Sequence, residues 1–178
     1  MRKFIAIIMI CLSSTAFFAS DPFIEFQKGQ QAFSDKDYEN AYAIWLKLAN
    51  DNYALAQSTL AYLYGSGIGV EQSYSEAAKW MEKAAAQGEP QSMYNLAGFY
   101  LEGKGVEVNY KKSEELYRAS LEKGFKFSVA GLITLYRSGV INPKNDKEKE
   151  YWEKEEKLLQ DQDYAQNLYS ESRNASMP

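Results

Sequence analysis

The chain contains no histidine and a single cysteine, Cys11, among its 178 residues. Histidine is the usual general base near neutral pH, and histidine and cysteine are the commonest ligands of zinc. Their scarcity argues against Ser-His and Cys-His nucleophiles and against a typical metal site. A single cysteine also leaves no intramolecular disulfide, so packing alone must hold the fold together. We therefore expect no enzyme activity, no cofactor and no metal.

Carboxylate side chains are numerous, but their spacing does not indicate a catalytic pair. Glu114 and Glu115 are neighbours on a predicted helix and point in different directions, and the same holds for Glu155 and Glu156. Glycoside hydrolysis requires two carboxyl groups that face one cleft. An enzyme that acts on the cell wall or on a β-lactam is therefore the least favoured interpretation.

Clusters of basic residues are missing as well. The formal net charge is −4, with 20 Lys and Arg residues against 24 Asp and Glu residues. The densest lysine stretch, residues 144–157, is interrupted by acidic residues and is typical of a solvated helix face. Because nucleic acid binding requires a basic surface, we expect no nucleic acid partner.

A sustained apolar run, Phe4 to Leu12, lies near the start of the chain, after two basic residues and before several small ones. The run is too short to anchor the chain across a bilayer, and the order of these segments is typical of a secretory signal peptide. We assign residues 1–19 to this signal, with cleavage after Ala16 or Ala19. The pattern predicts a periplasmic location, and peripheral association with a membrane stays open.

A block of about 35 residues occurs twice, with the copies 36 positions apart. The first copy covers residues 54–88 and the second covers residues 90–124. The identical pairs are Leu60 and Leu96, Ala61 and Ala97, Tyr64 and Tyr100, Gly67 and Gly103, Gly69 and Gly105, Val70 and Val106, Tyr74 and Tyr110, and Gly88 and Gly124. A repeat of this length predicts a solenoid that is built from helix pairs.

Each copy predicts two helices that are joined by a glycine-containing loop. In the first copy, apolar and small residues recur at helical spacing over residues 54–64 and 75–87. The residues expected to face inward on the second helix are Ala77, Ala78, Met81, Ala84 and Ala85. Between the helices lies Gly67-Ile-Gly-Val70, where glycine allows a positive φ and a tight reversal. A phosphate-cradling loop would need a preceding strand, so we interpret this loop as structural.

Two flanking segments look like divergent units of the same kind. Residues 20–53 predict a helix pair with a shorter loop, and residues 126–160 predict a degenerate repeat followed by a capping helix. Asp146 is a candidate cap for that last helix. Its inward face is expected to carry Tyr151, Trp152, Leu158 and Leu159. Residues 161–178 form a polar tail, in which the sequence around Tyr164 is compatible with one more short helix.

The two copies resemble Sel1-like repeats, which are relatives of tetratricopeptide repeats with a longer loop between the helices. The residues that carry the resemblance are Ala56, Leu60, Tyr64, Gly67, Gly69, Val70, Tyr74, Ala77, Trp80, Ala84, Ala85 and Gly88, and their counterparts from Leu96 to Gly124. The repeats are assigned to residues 54–89 and 90–125, whereas residues 20–53 look more like a plain tetratricopeptide motif. The resemblance implies an all-α fold, a right-handed α/α superhelix, and a scaffold or adaptor role.

In superhelices of helix pairs the first helix of each pair lines the concave side. Positions on the first helices that packing does not require are therefore candidates for partner binding. The register set by Leu60 and Ala61 gives Leu55, Ser58 and Tyr62 on the first repeat, Gln91, Tyr94 and Gly98 on the second, and Phe127, Ala130, Thr134 and Arg137 on the third. With two residues from the first unit, the residues selected as the binding site are Phe26, Gln30, Leu55, Ser58, Tyr62, Gln91, Tyr94 and Arg137. Tyrosine suits an interface because it combines a large contact area with a polar tip. The alternative is that Tyr62 and Tyr94 pack between the repeats.

The favoured function is that of a non-enzymatic, periplasmic interaction module that holds a protein or peptide segment in the concave groove. The partner would be an envelope component or a toxin, and we expect the module to be monomeric. A narrower alternative is an immunity protein that neutralises a delivered toxin such as a lipase. Its acidic charge fits that role, because acidic inhibitors often face basic effectors.

Overall fold

A computed structural model of the chain describes residues 21–143 and 146–159, and within these ranges all regular secondary structure is α-helical. The helices are α1 (Pro22–Ser34), α2 (Tyr38–Asn50), α3 (Ala54–Ser66), α4 (Tyr74–Ala86), α5 (Pro90–Glu102), α6 (Tyr110–Glu122), α7 (Ser128–Arg137) and α8 (Asp146–Leu159). None of these described helices is both long enough and apolar enough to cross a membrane. The predicted all-α fold is confirmed.

Consecutive helices pack as antiparallel pairs that stack in chain order. The closest pairs are α1 with α2, α3 with α4, and α5 with α6, and each second helix also packs against the first helix of the next pair. Every helix therefore contacts mainly its neighbours in sequence, which is the arrangement of an α/α superhelix. The predicted signal peptide, residues 1–19, and the predicted tail, residues 161–178, lie outside the described residues.

The helix boundaries follow from local capping. The side chains of Asp37, Ser73 and Asn109 accept hydrogen bonds from backbone N–H groups at the starts of α2, α4 and α6. Pro22 and Pro90 occupy the first turns of α1 and α5, where a missing N–H costs nothing. Because these signals lie within a few residues of each boundary, the predicted ends of the repeat helices agree closely with the observed ones.

The glycine-containing loops also pack against the preceding helix pair. Gly67 and Gly69 have φ values of 69° and 71°, as the sequence predicts. A Cβ at Gly69 would lie 2.6 Å from the Cβ of Tyr38, at the start of α2. Val70 packs onto the core that the first pairs share. A helix precedes the glycines, so the structure supports the structural interpretation of the loop.

Two adjoining clusters form the hydrophobic core. The first contains Trp45, Leu60 and Trp80, and the second contains Tyr117 and Leu132. Along α4, all of the residues that were predicted to face inward are buried, namely Ala77, Ala78, Met81, Ala84 and Ala85. The burial of these small side chains allows the helices of a pair to approach closely.

The last helix departs from the prediction in two ways. Of its predicted inward face, Trp152 is buried, whereas Tyr151 is 47% exposed and Leu158 is 38% exposed. The reason is that, among the described helices, α8 packs mainly against α7, so α7 covers only one narrow strip of its surface. The side chain of Leu159 lies outside the described part of the chain. Asp146, which was predicted to cap the helix, is instead its first helical residue.

Candidate functional site

The first helices of three successive pairs line a single open groove. It has a volume of about 880 Å³ and receives most of its lining from α1, α3 and α5. Because α2 packs between α1 and α3, and α4 packs between α3 and α5, the backbones of the three first helices stand apart. The space that is left on this side of the superhelix is the groove.

Seven of the eight predicted site residues line the groove. They are Phe26, Gln30, Leu55, Ser58, Tyr62, Gln91 and Tyr94. Arg137 does not, because it is the last residue of α7, and α7 contacts α5 directly instead of standing apart from it. The groove therefore ends at α5 and does not continue along the third unit as the register had suggested.

The three predicted aromatic residues occupy different environments. Tyr62 is 56% exposed, and its ring makes no aromatic or hydrogen-bonding contact with the described residues. Tyr94 is half-buried, and its ring centroid lies 5.5 Å from that of Tyr117 and 5.3 Å from that of Phe125. Phe26 is only 8% exposed and packs against Trp45. The ring of Tyr62 is thus available for contact with a partner, whereas the rings of Tyr94 and Phe26 pack against other aromatic rings of the protein.

Several groove residues were missed by the sequence reasoning. One of them is Phe23, which is 39% exposed and forms an apolar mouth with the predicted Leu55, 44% exposed, at the N-terminal ends of α1 and α3. The other missed lining residues include Thr59, Tyr74, Asn95, Phe99, Glu102 and Lys104. Asn95 and Glu102 share a helix face with Gln91 and with Gly98, which the register did give, so extending the register along α5 would have found them.

The polar side chains of the groove lining include hydroxyl groups that form hydrogen bonds within the protein and amide groups that form none with the described residues. The hydroxyls of Ser58 and Thr59 donate to the carbonyl of Leu55 at 3.0 and 2.8 Å. The side-chain amides of Gln30, Gln91 and Asn95 have no hydrogen-bond partner among the described residues. An amide can donate and accept at once, so these three groups are available to a bound polypeptide.

The charges of the groove lining are confined to one end and pair with each other. The Nζ of Lys104 lies 2.5 Å from a carboxylate oxygen of Glu102, and this hydrogen bond raises the pKa of Lys104. The ammonium group is also 6.0 Å from the ring centroid of Tyr74. Across the described part of the chain, no group of three or more acidic, histidine or cysteine side chains could hold a metal ion.

Tyr117 forms part of the groove floor and links it to the core. Its side chain is buried, and burial together with the nearby Tyr94 and Glu102 raises its pKa from the ordinary value near 10 to about 12. The Tyr64 hydroxyl, which lies 2.8 Å from that of Tyr42, also has its pKa raised to about 12, first by this hydrogen bond and then by burial.

These shifts predict a loss of stability at alkaline pH. A folded-state pKa above the unfolded one means that folding favours the neutral phenol, so this stabilisation is complete below about pH 10 and disappears as the pH rises through 12. We expect Tyr117→Phe to flatten the dependence of the melting temperature on pH between 10 and 12. Identical profiles for Tyr117→Phe and the wild type would contradict the assignment.

The family of the repeats is given by a direct comparison. A family model described as the Sel1 repeat matches residues 54–89 and 90–125. Two consecutive segments of the chain thus match the Sel1 repeat. Sel1 repeat proteins generally mediate protein–protein interactions and are typically non-catalytic scaffolds. The first Sel1 repeat supplies α3 and α4 and the second supplies α5 and α6, so the two repeats provide most of the groove.

Solved structures of Sel1 repeat proteins have the same architecture. A protective antigen of uropathogenic Escherichia coli with an SLR fold is 22% identical, with a TM-score of 0.70 over 88% of this chain and 39% of the antigen. A Sel1 repeat protein from Oxalobacter formigenes is 29% identical, with a TM-score of 0.64 over 71% of this chain and 52% of that protein. The chain therefore spans between two fifths and about half of these two relatives.

A third structure extends the likeness to a cysteine-containing member. Cysteine-rich protein B of Helicobacter pylori is 17% identical, with a TM-score of 0.51 over 62% of this chain and 93% of that protein. At this identity the likeness concerns the fold alone. No curated protein sequence matches the chain significantly. The predicted superhelix of Sel1-like helix pairs is confirmed by these comparisons.

Proposed function

We propose that this protein is a non-enzymatic interaction module that holds a segment of a partner protein in the groove between α1, α3 and α5. The observation that carries the proposal is the free, 56% exposed ring of Tyr62 on the wall of an open groove of about 880 Å³. Exposed aromatic side chains that are grouped with apolar neighbours mark interaction sites, and tyrosine is among the residues that dominate binding energies.

We propose that the module acts in the periplasm as a monomer. The support is the order of basic, apolar and small residues at the start of the chain. The partner is then an envelope component. A delivered toxin is the other class of partner that the acidic net charge of −4 would suit, and the experiment below distinguishes the two.

The proposal is tested by capturing partners with the full chain, expressed with its own N-terminal segment and a C-terminal tag, from periplasmic and membrane extracts. One stoichiometric partner that is identified by mass spectrometry would support the module and reveal its class. An envelope component indicates an adaptor, whereas a secreted toxin indicates an immunity protein. The absence of any enriched protein would contradict a protein-binding function.

The groove is tested by Tyr62→Ala. We expect this substitution to weaken the captured complex by about 30-fold or more, which corresponds to about 2 kcal/mol, because it removes an exposed anchor. The melting temperature should stay within a degree or two of the wild type, since surface changes of this kind alter stability by about 0.5 kcal/mol or less. Isothermal titration calorimetry and thermal unfolding measure the two effects.

Tyr110→Ala is the matched control. Tyr110 is an exposed tyrosine, at 38%, on the neighbouring helix α6 and outside the groove. It should leave binding unchanged. Equal binding by the Tyr62→Ala and Tyr110→Ala variants would show that the partner docks elsewhere. Tyr94→Ala is a poorer test, because Tyr94 packs against Tyr117 and Phe125 and its removal would also lower stability.

A further inference from the structure

We propose that the groove takes an extended, uncharged polypeptide segment whose backbone passes closest to the protein at Gly98 of α5. The inference rests on the proposed function and specifies the conformation and the charge of the bound segment. It is carried by four features of the described residues: a glycine that packing does not require, a ring at the equivalent position of the first repeat, a row of unsatisfied amides, and a lining without unpaired charge.

Gly98 has no structural reason to be glycine. It lies in the interior of α5, where glycine is less favourable than alanine. A Cβ at this position would meet nothing nearer than the hydroxyl of Tyr117, at an ordinary contact distance of 3.7 Å. In contrast, a Cβ at Gly131 of α7 would lie 2.5 Å from the ring of Tyr117, so packing explains that glycine. The open space at Gly98 therefore faces the groove, where a glycine allows another backbone to approach closely.

The two repeats differ at this register position. Gly98 in α5 is the counterpart of Tyr62 in α3, 36 residues earlier. The groove consequently has an aromatic ring projecting from one first helix and an open backbone surface on the next. A segment that lies over Gly98 can place an apolar side chain against the ring of Tyr62, which gives the contact area that aromatic anchors supply at interfaces.

A row of groups along α5 matches the backbone of such a segment. Gln91, Asn95, Gly98 and Glu102 follow one another at intervals of four, three and four residues, so they share one face of the helix, and all four line the groove. The free amides of Gln91 and Asn95 can bind peptide N–H and C=O groups. A helix has already used those groups internally, whereas an extended segment offers them, and this favours an extended conformation.

The charge of the lining selects the side chains of the segment. Only Glu102 and Lys104 are charged among the residues that line the groove, and they neutralise each other at 2.5 Å. A charged side chain placed among Phe23, Leu55 and Tyr62 would lose water without gaining a counter-ion, which is unfavourable. The occupant is therefore uncharged over the stretch that contacts the groove.

The inference is tested with a phage-displayed library of random dodecapeptides that is selected on the immobilised full chain. We expect the enriched peptides to contain aromatic or aliphatic residues and to lack charged residues in their common core. The enriched peptide of highest affinity, made synthetically, is then titrated against the wild type and against the Gly98→Ala, Tyr62→Ala and Thr134→Ala variants. Thr134 is exposed on α7 and lies outside the groove.

Gly98→Ala should separate binding from stability. The added methyl group obstructs the close approach, and we expect binding to weaken about tenfold or more, as for a misfitting methylene in a pocket. The same change replaces glycine by a better helix former, so the melting temperature should stay equal or rise. Thr134→Ala makes a comparable gain in helix propensity on α7 and should leave peptide binding unchanged.

The possible outcomes distinguish this inference from the proposed function. If Tyr62→Ala abolishes peptide binding but Gly98→Ala binds like the wild type, the groove is functional and the close approach at Gly98 is wrong. A common core rich in charged residues overturns the uncharged occupant in the same way. If no peptide is enriched, or if neither groove variant affects the enriched one, both the inference and the groove as a peptide site are overturned.

Discussion

Replacing Gly105 by alanine is expected to destabilise the fold by about 3 kcal/mol or more. Gly105 has a φ of 69°, a conformation that costs a residue with a Cβ about 1 to 2 kcal/mol. A Cβ at this position would also lie 2.6 Å from the backbone nitrogen of Ser75, and closer still to the carbonyl of Tyr74. Those backbone atoms begin α4 and cannot rotate away as a side chain would, so the loop must leave its place between the two repeats.

Gly124→Ala is the matched control for this prediction. Gly124 also has a positive φ, 91°, but a Cβ there would meet nothing within 4 Å. We expect a loss of only about 1 to 2 kcal/mol, from the backbone conformation alone. Chemical denaturation of the two variants and the wild type measures the difference. Equal losses for Gly105→Ala and Gly124→Ala would show that the packing of the loop on α4 contributes nothing.

The second large effect is expected at Gln57, which is 1% exposed in the interior of α3. Its side-chain nitrogen donates to the carbonyl of Ala49 at 3.1 Å and to the Asn52 side chain at 3.2 Å, and its oxygen accepts from Gln87 at 2.7 Å. The amide thus ties α3 to the end of α2 and to the residue that follows α4. All of its hydrogen bonds connect different helices or loops, so no local structure can replace them.

Gln57→Leu keeps most of the volume of the side chain and removes these hydrogen bonds. We expect it to lower the free energy of unfolding by about 2 to 3 kcal/mol, given a net value of about 1 kcal/mol for each bond. Gln57→Ala adds a cavity and should cost about 1 kcal/mol more.

The control for the Gln57 variants is Gln91→Ala, at an exposed glutamine of α5, which should change stability by about 0.5 kcal/mol or less. Denaturation by guanidinium chloride compares these variants with the wild type. A Gln57→Leu variant as stable as the wild type would refute the role of the network.

The groove residues show how much of the site the helical register can predict by itself. Counting from Leu60 and Ala61 identified Tyr62 and Leu55 on the first repeat, because a regular helix fixes which residues share a face. The same count carried to Arg137 leads to a residue that does not line the groove. The register assumes that each first helix repeats the position of the one before it, but α7 contacts α5 and closes the groove at that point. The placement of a helix of one unit against a helix of another unit cannot be predicted from the sequence period of either unit.

Tyr62 and Tyr94 show that the environment of a single side chain also depends on the tertiary structure. Both are tyrosines on first helices, both line the groove, and the sequence supports binding and packing equally for each. The structure separates them, because Phe125, which follows α6, and Tyr117 enclose Tyr94, whereas no ring among the described residues contacts that of Tyr62. The choice between an anchor and a packing residue depends on residues that are remote in sequence.

The sequence by itself determined the helices, the repeat and the loops of this protein. The helix boundaries depend on residues that act on backbone groups only a few positions away, namely Asp37, Ser73, Pro90 and Gly67. Such local signals can be recognised in the sequence without a structure. Only the tertiary structure decided where the groove ends, which tyrosine is free, and why a glutamine is buried at position 57. Each of these depends on the relative placement of helices that are joined by loops, and that placement arises from packing across the whole array.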